Sequence, residues 1–416
     1  MLVFYSLALL LVLVVGAPYW LFRMATSGKY REGLSERLGF VPRRIRVSGR
    51  VIWVHAVSVG EVLAATRLIE ELDAGSGCEV MISTTTRTGQ RLARERFGED
   101  RVFYFPLDLA FAVRAYLRAL RPRMFVLLET EFWPRMLVEC RRAGVPVVVV
   151  NARVSDRSWP RYRRLSFIWR RLLNGFAVVL AQSELDAQRL TALGASNVRA
   201  GGNLKYDIRI ARPAPITEVL RSHLPAGAKV VVSGSTLANE EQLVADSLPP
   251  NVITIFAPRH PERFDEAAAT LAARGLRFVR RSQWINSPEP LSPGTFFLLD
   301  SIGELASVYS LANVAIVGGG FFVTGGHNPL EPAQFGVPIV LGPHYENFRG
   351  IVESLRAAEA VRIAKPSALR DAICGLLDDE AAANAAGARA RAVLEHEAGA
   401  TDRAVTALMR ELEVRP

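Results

Sequence analysis

The sequence predicts an α/β protein of two strand–helix domains behind one N-terminal apolar helix. Three observations predict it. The chain has 416 residues, 50% hydrophobic and 22% charged, which is more than one ordinary core organises and apolar enough to fold. Short apolar runs alternate with amphipathic stretches in two separate series, the pattern of mostly parallel sheets with crossover helices. The first 22 residues carry no charged side chain.

Residues 1–22 come first and include the apolar run 7–15. About 20 apolar residues suffice to span a bilayer as a helix. No basic side chain precedes the run, whereas Arg23, Lys29 and Arg31 follow it. A secretory signal shows the reverse, with positive charge ahead and a small-residue cleavage site behind. The positive-inside tendency then leaves the bulk of the chain cytoplasmic behind a single-pass anchor. A helix lying on the membrane or packed into a partner is the alternative. Residues 51–56, 79–83, 102–105, 125–128, 146–150 and 177–181 read as buried strands of a first domain, 23–210, with crossover helices at 62–72 and 110–120. Residues 211–228, with Pro213, Pro215 and Pro225, read as a linker. A second series, 230–232, 252–256, 296–299, 314–317, 338–341 and 361–363, builds a second domain, 229–416. Ala-rich 378–394 reads as helix, and the last helix is a candidate to pack back on the first domain.

The formal charge of +10 points to nucleic acid, an anionic membrane surface or an acidic substrate. Without zinc-finger spacing or aromatic ribonucleoprotein motifs, nucleic acid ranks last and is not expected as a partner. Cys78, Cys140 and Cys374 form neither a ligand spacing nor a disulfide framework, which suits a reducing compartment. His55, His260, His327 and His344 are widely spaced, so no metal site is expected. No G-x-G-x-x-G follows the first strand and the P-loop pattern is missing, which removes most support for nicotinamide or P-loop nucleotides.

Ligands of open parallel sheets bind beyond the carboxyl ends of the strands, so polar residues just after each apolar run are the candidates. After the first run come His55, Ser58, Gly60 and Glu61. Such a loop offers backbone N–H groups to an anion or to sugar oxygens, and an ordinary strand-to-helix turn fits it equally. After the fourth come Glu129-Thr130-Glu131-Phe132-Trp133-Pro134. These carboxylates suit acid/base work or pairing with an arginine. Arg153, with Asn151, Ser155 and Arg157, brings basic groups after the fifth. In the second domain Arg259 and His260 stand at a strand end, and Ile302, Gly303 and Glu304 at a helix start able to take a phosphate. The glycines 318–320 let backbone approach a ligand closely. Gly325, Gly326, His327, Asn328 and Pro329 then lead to Glu331, which can accept both hydrogen bonds of a ribose diol.

Taken in order, the motifs at 30–39, 55–61, 129–134, 151–155, 203–207, 257–264, 302–305 and 325–332 resemble the 3-deoxy-D-manno-octulosonic acid (Kdo) transferases of lipopolysaccharide biosynthesis. The resemblance implies two Rossmann-like domains facing across a cleft, the GT-B glycosyltransferase fold. It also implies Kdo transfer from CMP-Kdo to the phosphorylated lipid A precursor lipid IVA, inverting and independent of metal and cofactor, at the cytoplasmic face of a bacterial inner membrane with an anionic surface. By resemblance Glu36 is the general base, with Glu129 and Glu131 lining the same cleft. Ser58, Gly60, Glu61 and Arg153 fall to acceptor or Kdo. Arg259, His260, Ile302, Gly303, Glu304, Gly326, His327, Asn328 and Glu331 fall to CMP. A surface Glu36 paired with Arg37 is the structural alternative. Two positions depart from the family pattern, Asn239 for a glycine and Asn203 for a serine. A UDP-sugar transferase or epimerase of the same architecture, and a membrane-tethered binding protein without catalysis, are the rival readings.

Overall fold

A computed structural model describes residues 2–27, 31–45, 47, 49–156, 158–208, 213–323 and 325–414. Lys29, Tyr30, Arg157 and the start of the expected linker lie outside the described residues.

Seven parallel strands form the first sheet: β1 Val51–His55, β2 Glu79–Thr84, β3 Val102–Tyr104, β4 Met124–Leu128, β5 Val147–Ala152, β6 Phe176–Ala181 and β7 Val198–Ala200. Their spatial order is β3-β2-β1-β4-β5-β6-β7. Both faces are covered, which explains the unbroken apolar runs. Along β1, Val51 and Trp53 enter one core cluster with Phe103, Tyr116 and Phe125. Ile52 and Val54 enter the opposite one with Leu68, Leu72 and Val126, as the two-residue period of a strand requires. Trp53 is wholly buried, and its indole N–H donates to Ser83 Oγ at 2.8 Å. Crossover helix Ala110–Leu120 buries Val113, Tyr116, Leu117 and Leu120, the i, i+3, i+4, i+7 stripe of a helix lying on a sheet.

The second sheet holds β8 Val230–Thr236, β9 Ile253–Pro258, β10 Phe278–Arg280, β11 Phe296–Leu298, β12 Val314–Val317, β13 Ile339–Leu341 and β14 Val361–Ile363. Its order is β10-β11-β9-β8-β12-β13-β14, again parallel. In each sheet one strand is absent from the sequence reading, β7 (Val-Arg-Ala) and β10 (Phe-Val-Arg). Both are edge strands with a half-open face, so an arginine sits where a central strand carries an aliphatic residue.

The chain divides into two units, Met1–Ile208 with Glu397–Pro416, and Arg209–His396. Part of the stretch read as a linker is structured: Pro215–His223 is a helix whose Ile216 and Leu220 are buried. Proline suits the first turn of a helix, where its missing N–H costs nothing. The Ala-rich stretch is interrupted at Asp379 between helices Leu369–Asp378 and Glu380–Glu397, and Asp379 accepts from Ala382 N at 2.9 Å. The last helix, Ala400–Val414, belongs to the first unit. Its Ala400, Ala404, Ala407 and Leu408 join the cluster of Leu68 and Leu72, and Asp207 accepts from Gly399 N (2.6 Å) and Thr401 N (2.5 Å). At the other end, helix Leu2–Ser27 is long and apolar enough to cross a membrane. Leu7, Leu11, Val15 and Phe22 on it are exposed.

Candidate active site

Each sheet reverses its winding beside its first strand, between β1 and β4 in one unit and between β8 and β12 in the other. The carboxyl ends at such a switch point open a crevice that ligands use. Both crevices are lined by charge.

In the first unit, Glu61 lies in the opening turn of helix Val59–Gly75. It is 8% exposed and accepts from Val57 N at 2.8 Å and Ser58 Oγ at 2.9 Å. Glu129 and Glu131 follow β4 and reach Glu61 electrostatically. Burial first, then the charge of Glu129, raises the Glu61 carboxyl to about 7, against the hydrogen bonds from Val57 and Ser58. Burial and Glu129 also raise Glu131. Lys205 Nζ lies 3.7 Å from Glu129 Oε1. Glu129 has φ 57°, a left-handed conformation that costs about 1–3 kcal/mol for a non-glycine residue and collects at functional sites. Ser58 is the N-cap and Gly60 lies in the first turn of helix Val59–Gly75, and the Arg153 carbonyl accepts from Thr130 Oγ1 at 2.6 Å. His55 is core: its Nδ1 meets Ser83 Oγ at 2.9 Å, its ring stacks on Phe105, and burial lowers it to about 3.

Glu36 stands apart from that trio. It is 7% exposed, and its Oε2 accepts from Tyr104 N at 2.7 Å. Its Oε1 is 2.8 Å from Arg44 Nη2 and 3.7 Å from Arg94 Nη2. Tyr104 ends β3, three strand spacings from β4, about 14 Å at the usual separation. Arg37 instead sends Nη2 to the Thr85 carbonyl and lies over the Tyr104 ring.

In the second unit, Arg259 and His260 follow β9 and are exposed. His327 neighbours both, and burial together with their charges lowers its imidazole to about 4. Its Nε2 is buried with no hydrogen-bond partner among the described residues. Glu331 is raised to about 7 by burial, opposed by Arg259 and by a hydrogen bond from Asn328. The structure thus gathers Arg259, His260, His327, Asn328 and Glu331. Gly326, at φ 69°, lies against the His344 carbonyl, where a Cβ would come within 2.9 Å.

Ile302, Gly303 and Glu304 follow β11, the strand beside β9. The helix after them, Leu305–Val308, has only four residues, too few for the phosphate-binding N-terminus expected from the sequence. Ile302 is exposed, and Glu304 is committed to Arg281 at 2.7 Å and to Ser301.

A family model for 3-deoxy-D-manno-octulosonic-acid transferase (Kdo transferase) matches residues 32–208. The 3-deoxy-D-manno-octulosonic acid transferase of Bordetella pertussis is 35% identical over 376 residues, 86% of this chain and 86% of its own. That of Haemophilus influenzae is 31% identical over 402 residues, 93% of either chain. The chain belongs to the Kdo transferase family. It is a glycosyltransferase that transfers Kdo. Its fold is the two-domain α/β GT-B arrangement, shared with MurG of Acinetobacter baumannii at TM-score 0.55 and 14% identity, over 87% of this chain and 99% of that one.

Two carboxylates of this Kdo transferase, in the motif that Asn239 interrupts, were given no role by the sequence reading. Glu240 is 1% exposed and accepts from Leu237 N, Gly319 N and Phe321 N at 2.9, 2.7 and 3.1 Å. Glu241 binds Arg263 through both oxygens (2.8 and 3.0 Å) and Thr236 Oγ1 at 2.7 Å. The available signal was a pair of adjacent acidic residues at a helix start; their partners lie in other loops.

Proposed function

We propose that this Kdo transferase takes Kdo from CMP-Kdo and places it on a hydroxyl of the phosphorylated lipid A precursor lipid IVA, with inversion, while Leu2–Ser27 anchors it at the cytoplasmic face of a bacterial inner membrane. The carrying observation is the strand-end group of Arg259, His260, His327, Asn328 and Glu331, which offers a guanidinium to a phosphate and a carboxylate to a ribose diol. In the reaction the acceptor oxygen bonds to the Kdo anomeric carbon and the carbon–oxygen bond to CMP breaks. CMP leaves with the electron pair, and a carboxylate takes the hydroxyl proton. Arg259 and the loop of Gly326, His327 and Asn328 are the groups to stabilise the departing phosphate, with Ile302, Gly303 and Glu304 bordering the site, and no metal or cofactor is called for. The acceptor falls to the first unit, beside Ser58, Gly60, Glu61 and Arg153, and basic residues near the bilayer favour anionic lipid.

The resemblance assigns the base to Glu36, with Glu129 and Glu131 assisting. Glu36 Oε1 is paired with Arg44 at 2.8 Å and its Oε2 accepts from Tyr104 N at 2.7 Å. A second reading, favoured by the carboxyl raised to about 7 beside two other glutamates, assigns the base to Glu61. Mass analysis after incubation with CMP-Kdo and tetraacylated lipid A precursor tests the overall reaction. Acceptor mass gained as Kdo with matching CMP release is expected, and transfer from a UDP-sugar instead overturns it. For the base, Glu36→Gln loses transfer with melting temperature and CMP affinity unchanged if Glu36 takes the proton. A drop in melting temperature marks Glu36 as an ion-pair anchor instead.

A further inference from the structure

The first loop of the second unit holds an occupied anion site. Where a first parallel strand passes into its helix, backbone N–H groups point into the switch-point crevice and form an anion site. Here that site is assembled from two loops, with Leu237 N from the end of β8 and Gly319 N and Phe321 N from the end of β12. The anion that fills it is the protein's own Glu240 carboxylate, at 2.7–3.1 Å. Glu240 opens helix Glu240–Ser247, eight residues long. The fit leaves no spare room: a Cβ on Gly318 would meet Glu240 Oε2 at 2.7 Å, and one on Gly319 would meet the His327 ring at 2.3 Å. His327 therefore lies directly on the loop that Glu240 occupies from the other side.

We propose that Glu240 is a specificity-determining residue that acts as a built-in anion, occupying the N–H groups a second donor phosphate would need and so restricting the enzyme to nucleoside monophosphate donors. The inference rests on the CMP-Kdo reading and deepens it. One phosphate beside Arg259 and His327 is served by side chains. A further phosphate extending to the glycine loop finds its donors taken and a carboxylate behind them, and like charge in a buried setting is strongly disfavoured. Selectivity thus comes from a repulsive element as well as from contacts to the accepted donor.

Calorimetric binding of CMP and CDP to the full chain tests this, with thermal melting to confirm folding. Wild type is expected to bind CMP, and CDP at least about tenfold more weakly. Glu240→Gln keeps an acceptor oxygen and removes the charge, and is expected to narrow that ratio. Glu240→Ala, which frees all three N–H groups, is expected to close or reverse it. Wild type binding CDP as tightly as CMP overturns the proposal whether or not the variants fold. So does a folded variant that keeps the wild-type ratio. A wild type that binds neither nucleotide refutes the cytidylate reading itself, and a wild type that binds CMP upholds that reading whatever the variants do.

Discussion

The two switch points carry the same design in different surroundings. In each unit an acidic residue in the first turn of the helix after the first strand turns its carboxylate back onto its own loop, Glu61 to Val57 N and Glu240 to Leu237 N. What faces each from the neighbouring strand differs. Glu240 meets the N–H groups of Gly319 and Phe321, and Glu241 beside it is matched by Arg263. Glu61 meets Glu129 and Glu131. Burial raises both carboxyls, but three backbone hydrogen bonds oppose it at Glu240, whereas Glu61 has Glu129 and Glu131 adding to its burial and rises to about 7. At its first loop the second unit commits Glu240 and Glu241 to backbone N–H groups and an arginine, whereas the first unit sets Glu61 near two further carboxylates.

Removing the poised proton acceptor gives the largest expected effect. If Glu61 is the base, Glu61→Gln lowers kcat by roughly 10²–10⁴. The wild-type rate rises as pH passes upward through about 7, where Glu61 ionises, and the variant loses that limb in a pH–rate profile. Retained activity with the limb intact returns the base to Glu36.

On the scaffold side, Arg263→Met leaves Glu241, 2% exposed, without its cation. The expected cost is about 3–5 kcal/mol, read by denaturant unfolding. A loss under 1 kcal/mol by the same unfolding measurement would show that the second unit's carboxylates are no better matched than the first's.

A third test uses stability against pH. Glu61 is raised from 4.5 to about 7 in the folded protein, so the folded state binds this proton more tightly than the unfolded chain. Its contribution is complete below pH 4.5 and is lost as pH rises through about 7, up to about 3 kcal/mol. Glu331, raised to about 7 as well, acts in the same direction. Melting temperatures across pH 4.5–8 should fall for wild type and fall less for Glu61→Gln; parallel curves would remove Glu61 from the comparison.

Smaller effects follow. Lys205→Met removes a partly exposed cation 3.7 Å from Glu129, is worth under about 1 kcal/mol of stability, and should move the pH–rate limb upward, since one positive charge near the acidic group is gone. Chelation with EDTA should leave the rate unchanged; a loss restored by a divalent cation would give the phosphate a different stabiliser from Arg259.

Much of this was legible in the residues. Central strands announce themselves because burial on both faces demands unbroken aliphatic runs, and the strand ends then locate Glu61, Glu129, Arg259 and Glu331 without any structure. The edge strands β7 (Val-Arg-Ala) and β10 (Phe-Val-Arg) were not legible, because half-buried three-residue strands carry little pattern; β14 was read because two β-branched residues flank its arginine. The helix after Gly303 stopped after four residues, a length that tertiary packing sets rather than local propensity. Glu36 shows the same limit at a functional motif. The structural alternative paired it with its local neighbour Arg37, while the groups that hold it, Arg44, Arg94 and Tyr104 N, come from elsewhere along the chain.

By itself the sequence determined the class of fold, the alternation of strands and helices, the apolar N-terminal helix and the side chains standing at strand ends, since each follows from the period and burial of a short stretch. Tertiary structure alone decided which strand ends meet. Placing β1 beside β4 set three like charges together, and placing β8 beside β12 set a carboxylate against glycine N–H groups. Proton affinity and anion occupancy depend on distances between segments far apart in the chain, and no local pattern encodes those.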